Sequence, residues 1–429
     1  MPALDAKDWF GSKRSLENSK RVLALEAQLK QFEQPDGNGP AESTPAVDSP
    51  TTQQPIEPEN AAAAAEEDNS TTDALHASQW QALNNYHFHS QRPEARELAL
   101  SLESAARQAN DEHRLVGILP MIGQVHHTDG AYDKGLAAEE EALRLYDQAR
   151  DAALEKEYLL EPKTTALILK AHMELSMGYP DRALRHTEEA VVWAKANATI
   201  ISITLAYLYQ AMVAYLRQEK DLVAKIVAEY REHYGEQADS GFVSKHLFLY
   251  GDWSAGNISG AEVYHQEILE SQRTYALSWY EPPLADLYLA AGQVKEAIEL
   301  MENALVRCEK TGEKWALALV HTTRARCFYA EDQTYSTRVD QALHAALEIA
   351  NGTPPSAEDS APKNVLLWHV LEARMLRARY LLQTPETANT SEAIQRLQDA
   401  LNALEEGKGT QLYQEASAIL HTWNTYPTA

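Results

Sequence analysis

The feature that most restricts the fold of this 429-residue sequence is a turn residue followed, five positions later, by a small side chain. The turn residues are Ser90, Gly130, Gly178, Gln218, Gly256 and Gly292, and the residues that follow them are Ala95, Gly135, Ala183, Val223, Ala261 and Ala297. A small side chain early in the second helix of a hairpin lets the two helix backbones approach closely. The spacing therefore predicts a stack of antiparallel helical hairpins.

The distance between these turns, about 36 to 48 residues, exceeds the ~34 residues of a plain tetratricopeptide repeat. Ala, Leu, Glu and Gln dominate the composition, and β-branched alternating runs are scarce, which favours helices throughout. We predict an all-α, right-handed α-solenoid of about eight tetratricopeptide-like hairpins over residues 78–429. Its last two hairpins span 314–351 and 363–405, and a capping helix over 410–423 covers the final apolar face.

Two further segments precede the solenoid. Residues 1–33 contain an amphipathic helix whose apolar stripe is Val22, Leu25, Leu29 and Phe32. Residues 34–77 are rich in proline and acidic side chains and contain hardly any large apolar ones, which predicts a disordered tether. We expect the stripe to dock in this protein's own groove or on a partner, although a floppy extension with residual helicity fits the sequence equally well.

The charge balance argues against nucleic acid as a partner. Acidic residues outnumber basic ones by 63 to 38, and no lysine or arginine stripe offers a local exception. No stretch has the ~18 uncharged apolar residues of a membrane span, and the start lacks a signal-peptide core. The two cysteines, Cys308 and Cys327, fit free thiols in a reducing compartment. We therefore expect a cytoplasmic protein.

Motifs for catalysis or metal binding are absent from the sequence. The fifteen histidines include no His-Glu-x-x-His spacing, and neither Gly-x-Ser-x-Gly nor a paired Cys-x-x-Cys occurs. Runs of acidic residues such as Glu139–Glu141 are typical of a solvated helix face. We predict no catalytic residues, no metal and no cofactor.

The first helix of each hairpin lines the concave side of such a solenoid, and its inward positions are candidates for partner binding. Aromatic residues and arginine are the usual anchors of binding surfaces. The periodicity turns these side chains inward: Gln124, His127, His172, Tyr215, His246, Tyr250, Trp253, Trp279, Asp286, Arg326 and Tyr329. For the tryptophans, filling gaps in the core is an alternative role.

Several local patterns resemble one family over about residues 80 to 330. They are Gly178–Leu184, Tyr280–Pro282 with Leu284–Tyr288, Ala291–Gln293 and Thr311–Glu313. This sequence resembles the helical repeat region that lies carboxy-terminal to the ATPase module in bacterial nucleotide-cyclase and transcription-regulator fusion proteins. The resemblance implies a sensing or docking arm. No Gly-x-x-x-x-Gly-Lys-Ser/Thr stretch is present, so the resemblance does not extend to the enzymatic output.

The sequence thus predicts a non-catalytic scaffold for a protein or peptide, with a regulatory role in bacterial signalling. One alternative is a small-ligand sensor, which requires a deep aromatic-lined pocket in place of an open trough. Another is an all-α enzyme such as a helical toroid that hydrolyses sugars, which requires paired carboxylates at the centre of a closed ring. The atypical hairpins at both ends favour an open superhelix over a ring.

Overall fold

The computed structural model describes residues 78–87, 90–235, 242–270, 277–352, 364–383 and 389–425. The chain divides into two compact units, residues 1–88 and 89–429. In the first unit the described residues form one helix, α1, over 78–87. The docking stripe and the acidic tether predicted for residues 1–77 lie outside the described residues.

The described part of the second unit is built from α-helices and contains no β-strand. Its helices are α2 Arg92–Gln108, α3 Glu112–Thr128, α4 Tyr132–Leu145, α5 Gln148–Asp151, α6 Leu154–Tyr158, α7 Pro162–Met177, α8 Pro180–Asn197, α9 Ile200–Leu216, α10 Lys220–Tyr234, α11 Phe242–Ala255, α12 Ile258–Glu270, α13 Leu277–Ala290, α14 Val294–Thr311, α15 Leu317–Asp332, α16 Thr337–Ala350, α17 Leu367–Gln383, α18 Thr390–Ala403 and α19 Gln411–Thr425.

Seven hairpins pair these helices in order, from α3–α4 through α17–α18, and α19 follows as the predicted cap. The all-α hairpin architecture is therefore confirmed. The short helices α5 and α6, which lengthen one interval between hairpins, were not predicted. The first predicted hairpin falls on both units, so its pairing stays a prediction.

Backbone conformation at the predicted turns explains why the hairpins reverse where they do. All six turn residues have positive φ, from 54° at Ser90 to 103° at Gly178. At Gly178 the turn caps α7: the amides of Gly178 and Tyr179 donate to the carbonyls of Leu175 and Glu174, both at 2.9 Å. The left-handed conformation terminates the helix, and glycine adopts it without a steric penalty because it has no Cβ. Pro180, whose fixed φ suits a first helical position, then opens α8.

The small residues after the turns are buried, as the spacing predicts. Ala183, Val223, Ala261 and Ala297 have no exposed area, and Ala95 exposes 2%. Ala183, Val223, Ala261 and Ala297 lie in the first turns of second helices, where the preceding helix packs against them. The repeat pattern therefore reports close helix contact.

First and second helices of the hairpins differ in how much surface they bury. Along α9 almost every side chain from Ser202 to Leu216 is buried, whereas α8 buries only one face. Each first helix is covered by its own second helix on one side and by other first helices on the other. The first helices thus form an inner layer, and the amphipathic second helices form an outer one.

Contacts between distant hairpins fill much of the space that the inner layer surrounds. The Tyr132 hydroxyl donates to the carbonyl of Trp315 at 2.8 Å, and the Trp368 indole donates to the carbonyl of Leu216 at 3.0 Å. Helix α7 also packs directly on α17. The prediction of an open trough along the concave side is therefore wrong for this part of the chain, because opposite walls of the inner layer touch.

Two observations bear on the remaining expectations. Cys308 and Cys327 are buried free thiols, as predicted. Among the helices described, none has both the length and the apolar character needed to cross a bilayer.

Candidate functional site

Three of the predicted groove residues meet in a buried aromatic cluster. His127 and His172 pack edge to face with ring centroids 4.8 Å apart, and His172 packs against Trp279 at 4.3 Å. Trp315 and His369, which the sequence did not single out, complete this histidine–tryptophan cluster at centroid distances of 5.1 Å from His127 and 6.3 Å from Trp279. All five side chains are at most 2% exposed, so none of them offers surface to a partner.

Burial dominates the electrostatics of the histidine–tryptophan cluster. Removal from water lowers the pKa of His127 to about 3 and that of His369 to about 4. The pKa of His172 is lowered well below its usual value by burial and then by the two neighbouring histidines. The three imidazoles are therefore neutral at pH 7. Within the described residues no group of histidine, cysteine and acidic side chains has the arrangement of a metal site.

Two more predicted residues lie in an adjoining buried group. The Tyr250 hydroxyl donates to the carbonyl of Trp279 at 3.1 Å, and Tyr250 has no exposed area. His246 packs on Tyr280 with centroids 3.9 Å apart. Both residues contribute to the core of the inner layer.

A cavity of about 890 Å³ remains where the inner layer does not close. Four predicted residues line it: Tyr215 from α9, Trp253 from α11, Asp286 from α13 and Arg326 from α15. Helix α17 contributes two charged residues that the sequence analysis missed, the acidic Glu372 and the basic Arg379. Residues from the start of α10 and the start of α19 form the remaining wall. We call this space the central cavity.

An ion pair between neighbouring inner helices forms one wall of the central cavity. The Arg326 guanidinium contacts Oδ1 of Asp286 at 2.8 Å and donates to Oγ1 of Thr323 at 2.9 Å. Oδ2 of Asp286 accepts a hydrogen bond from the Tyr215 hydroxyl at 3.1 Å. Burial opposes the charge on Arg326, but the carboxylates of Asp286 and Glu372 outweigh it and raise the arginine pKa. Both oxygens of Asp286 are thus engaged.

Glu372 stands in contrast to Asp286. Its side chain is only 7% exposed and lines the central cavity, yet within the described residues it makes no hydrogen bond or ion pair. Burial raises its pKa, and the nearby Arg326 charge offsets part of that effect. A carboxyl group in this position has lost most of its water without gaining a partner.

An aromatic face also lines the central cavity, beside Tyr215. Trp253 packs edge to face on Tyr215 with centroids 4.8 Å apart. The ammonium of the exposed Lys220 lies 5.1 Å from the centroid of the Trp253 ring, which is within the range of a cation–π contact. The indole face is therefore already used by a cation.

The last two predicted residues lie elsewhere. Tyr329 stacks on Tyr380 with an interplanar angle of 6° and donates its hydroxyl to Gln383, at the far end of α17. Gln124 is half-buried on α3 and does not line the central cavity. The partner-binding role proposed for the eleven residues stays a prediction, and four of them line the central cavity.

Comparison with known proteins leaves the family open. The sequence matches no family model and no curated protein. Among solved structures, one similar chain is a Rap protein in a crystal structure of its complex with competence and sporulation factor. The two chains are 13% identical with a TM-score of 0.48, and the match covers 81% of this chain and 96% of that chain. Similarity at this level gives no basis for transferring a ligand.

Proposed function

We propose that this protein is a non-catalytic binding protein that holds a protein or peptide segment in the central cavity. The observation that carries the proposal is the convergence of Tyr215, Trp253, Asp286 and Arg326 from four successive hairpins on one accessible space. Tyrosine, tryptophan and arginine are the residue types that anchor binding interfaces most often. A regulatory role in bacterial signalling, implied by the sequence resemblance, is part of the same proposal.

The contacts that hold the side chains of the Arg326–Asp286–Tyr215 wall in place favour a role in binding over a purely structural role. The Arg326–Asp286–Tyr215 chain of contacts fixes three polar groups before any ligand arrives. Side chains held in place lose little conformational entropy on binding, which strengthens recognition. A segment of peptide matches the cavity volume better than a folded domain does.

A small-ligand sensor is the second candidate. The cavity volume lies within the roughly 300 to 1,000 Å³ of typical ligand pockets, and a largely buried carboxyl group faces into it. Two results together favour this candidate: denaturing the purified protein releases a metabolite that mass spectrometry detects, and no protein partner is captured.

The enzyme alternative is weaker. The cavity does bring two carboxyl groups, Asp286 and Glu372, near one arginine. A glycoside hydrolase needs one carboxylate to attack the substrate or to activate water. Because Arg326 and Tyr215 occupy both oxygens of Asp286, that group is not available as the second carboxylate.

Filling the central cavity tests the proposal. Gly409 lines the cavity, is exposed, and has open space where a Cβ would stand, so Gly409→Trp inserts a large ring without forcing the backbone. Ala105→Trp, on the exposed side of α2, is the matched control. Partners captured from the native cell with the full chain are identified by mass spectrometry. We expect one partner to be retained by the control and lost with Gly409→Trp.

Two results contradict the proposal. Capture of the same partner by the wild-type chain and by Gly409→Trp means that binding occurs outside the cavity. Reproducible recovery of no partner by the wild-type chain removes the proposal altogether.

A further inference from the structure

We propose that the ligand group recognised by the central cavity is a cation, an ammonium or guanidinium, which pairs with the Glu372 carboxylate and contacts the face of Trp253. This inference rests on the proposed function and adds the chemistry of the ligand. The group belongs to a lysine or arginine side chain of a peptide or to a free polyamine, and the experiment below distinguishes these sources.

Formal charge in the central cavity favours a cation. Five acidic and three basic side chains line the cavity, so its formal charge is negative. Two of the basic side chains already have acidic partners: Arg326 contacts Asp286 at 2.8 Å, and Arg379 contacts Glu415 at 2.6 Å. Their charges are therefore offset within the wall. An incoming cation meets a net acidic space.

Glu372 is the buried acidic side chain of the cavity that these pairings leave without an ion pair. It is more than nine-tenths buried and has no hydrogen bond or ion pair. Burying a carboxylate without a partner is unfavourable, because the charge loses its hydration and gains no ion pair in return. A leucine or glutamine at this position on α17 avoids that cost. A side chain that is unfavourable for folding and faces a cavity is a candidate for ligand recognition.

Trp253 supplies the second contact. An ammonium, that of Lys220, already lies over its ring at 5.1 Å. Lys220 is exposed and has no acidic partner within the described residues, so a ligand cation can displace it at little cost. A cation between a carboxylate and an indole face gains an ion pair and a cation–π contact together.

A second hollow shows why the unpartnered carboxyl group matters. A surface trough of about 800 Å³ lies between α2, α3 and α4 and also carries several charges. There Arg107 pairs with Glu141 at 2.7 Å, and Arg150 pairs with Glu112 at 3.0 Å. Its arginines and acids satisfy one another. The charges of the trough are therefore paired with one another, and they do not favour a charged ligand as the Glu372 carboxyl group does.

The experiment measures binding of defined probes to the full chain by isothermal titration calorimetry. The first probe is a short peptide whose only charged side chains are two lysines. The second is the same peptide with the lysines replaced by glutamate, and the third is spermidine. We expect the lysine peptide to bind and the glutamate peptide not to bind. Tighter binding of spermidine than of the lysine peptide identifies a free polyamine as the source, and binding of the peptide alone identifies a basic peptide.

Glu372→Gln keeps the shape of the side chain and removes its charge. We expect the affinity for the cationic probe to fall by about tenfold or more, because a hydrogen bond to a charged group contributes about 1.5–3 kcal/mol. Trp253→Leu is expected to weaken binding independently. Glu309→Gln, on the exposed face of α14, is the matched control and leaves affinity unchanged.

Three results overturn the inference: no binding of either cationic probe at millimolar concentration, equal binding of the glutamate peptide, or affinity within twofold of wild type for Glu372→Gln. If Glu372→Gln leaves the affinity for the cationic probe unchanged but Gly409→Trp abolishes partner capture, the inference fails and the proposed function stands. If Gly409→Trp still captures the partner, the proposed function fails.

Discussion

His127 and His172 pack edge to face with their ring centroids 4.8 Å apart, and none of their four ring nitrogens forms a hydrogen bond with any of the described residues. They lie on α3 and α7, in two successive hairpins. Two basic side chains in contact are tolerated because burial keeps both neutral. The centre of the stack therefore contains imidazole groups that would be protonated at low pH if they were exposed to water.

We predict that acid destabilises this protein through its buried histidines. His127, His172 and His369 have lowered pKa values in the folded state, so below their usual value of 6.5 the unfolded chain binds more protons. The free energy of unfolding therefore falls as the pH falls from 6.5. At pH 5 each histidine removes about 2 kcal/mol. Urea titrations at pH 7 and pH 5 measure the loss.

Single variants assign that loss to the cluster. With His172→Phe, the decrease in unfolding free energy between pH 7 and pH 5 shrinks by about 2 kcal/mol, because one fewer proton is taken up. His421→Phe, on the exposed face of α19, leaves the decrease unchanged. Equal pH dependence for the wild type and His172→Phe contradicts the assignment.

Glu139 leads to the opposite pH dependence. Its side chain has no exposed area, and its two oxygens have no hydrogen-bond partner in the part of the chain that the structure describes. Burial raises its pKa well above the usual value despite the charge of Lys170. The folded state therefore holds a proton that the unfolded chain releases above pH 4.5, and stability falls as the pH rises. We predict that Glu139→Gln increases the free energy of unfolding at pH 8 by about 1–3 kcal/mol.

The gain from Glu139→Gln should be much smaller at pH 4.5, where the carboxyl group is protonated in the folded state and half protonated in the unfolded chain. Urea titrations of the variant and the wild type at the two pH values test this. Glu188→Gln, on the exposed face of α8, serves as the control and has no effect. A destabilised Glu139→Gln at pH 8 means that the charged carboxylate is stabilised by contacts that its geometry does not reveal.

Local features of the fold could be predicted from the sequence, because they depend on single residues. Gly130, Gly178 and Gly292 adopt the positive φ that ends a helix, and Ala183 and Ala297 mark the close contacts that follow. These signals lie within a few residues of the structure that they determine.

The candidate site could be predicted only in part. Helical periodicity indicated that Tyr215, Trp253, Asp286 and Arg326 face inward, and they do. It could not indicate how far away the opposite wall lies. The contact between Tyr132 and Trp315 joins residues 183 positions apart, and no local pattern carries that information.

Sequence analysis predicted the hairpin over 363–405 that contains helix α17, but it assigned none of the side chains of that helix to the candidate site. Its hairpin has no glycine turn of the repeated kind, so its inward face was not assigned. A signal was nevertheless present: His369, Glu372, Leu376 and Arg379 are spaced by three and four residues, as one face of a helix requires. Three of these side chains line the central cavity, and His369 joins the histidine–tryptophan cluster.

Arg217 ties two parts of the stack together, and we predict that lysine cannot replace it. Its guanidinium contacts Asp181 at 2.9 Å, Glu219 at 2.9 Å and the carbonyl of Pro180 at 2.8 Å, and the residue is 6% exposed. Asp181 in turn accepts from the amide of Gly407 at 2.8 Å. A single ammonium cannot reproduce this fork of donors.

Arg217→Lys is expected to lower the free energy of unfolding by about 2–4 kcal/mol, because one buried ammonium cannot donate to the Pro180 carbonyl and to both carboxylates at once. Arg144→Lys, whose side chain is 68% exposed and pairs with Glu141 at 3.6 Å, should change stability by less than about 0.5 kcal/mol. Urea titrations at pH 7 compare the two. Equal small effects for both variants contradict the role given to Arg217.

A pair of glycines separates backbone strain from contact between distant hairpins. Gly178 and Gly292 both have positive φ, 103° and 76°, and both end the first helix of a hairpin. A Cβ at Gly292 meets nothing within 4 Å, whereas a Cβ at Gly178 lies 2.8 Å from the Cβ of Leu367 at the start of α17. Gly292→Ala therefore reports strain alone.

We predict that Gly292→Ala costs about 1 kcal/mol, as expected for placing a side chain in a left-handed conformation. Gly178→Ala should cost about 1–3 kcal/mol more, because Leu367 must move to admit the methyl group. Unfolding free energies at pH 7 give both values. If the two substitutions cost the same, the first turn of α17 does not rest on the α7–α8 turn in solution, and the contact that narrows the inner layer at this point is absent.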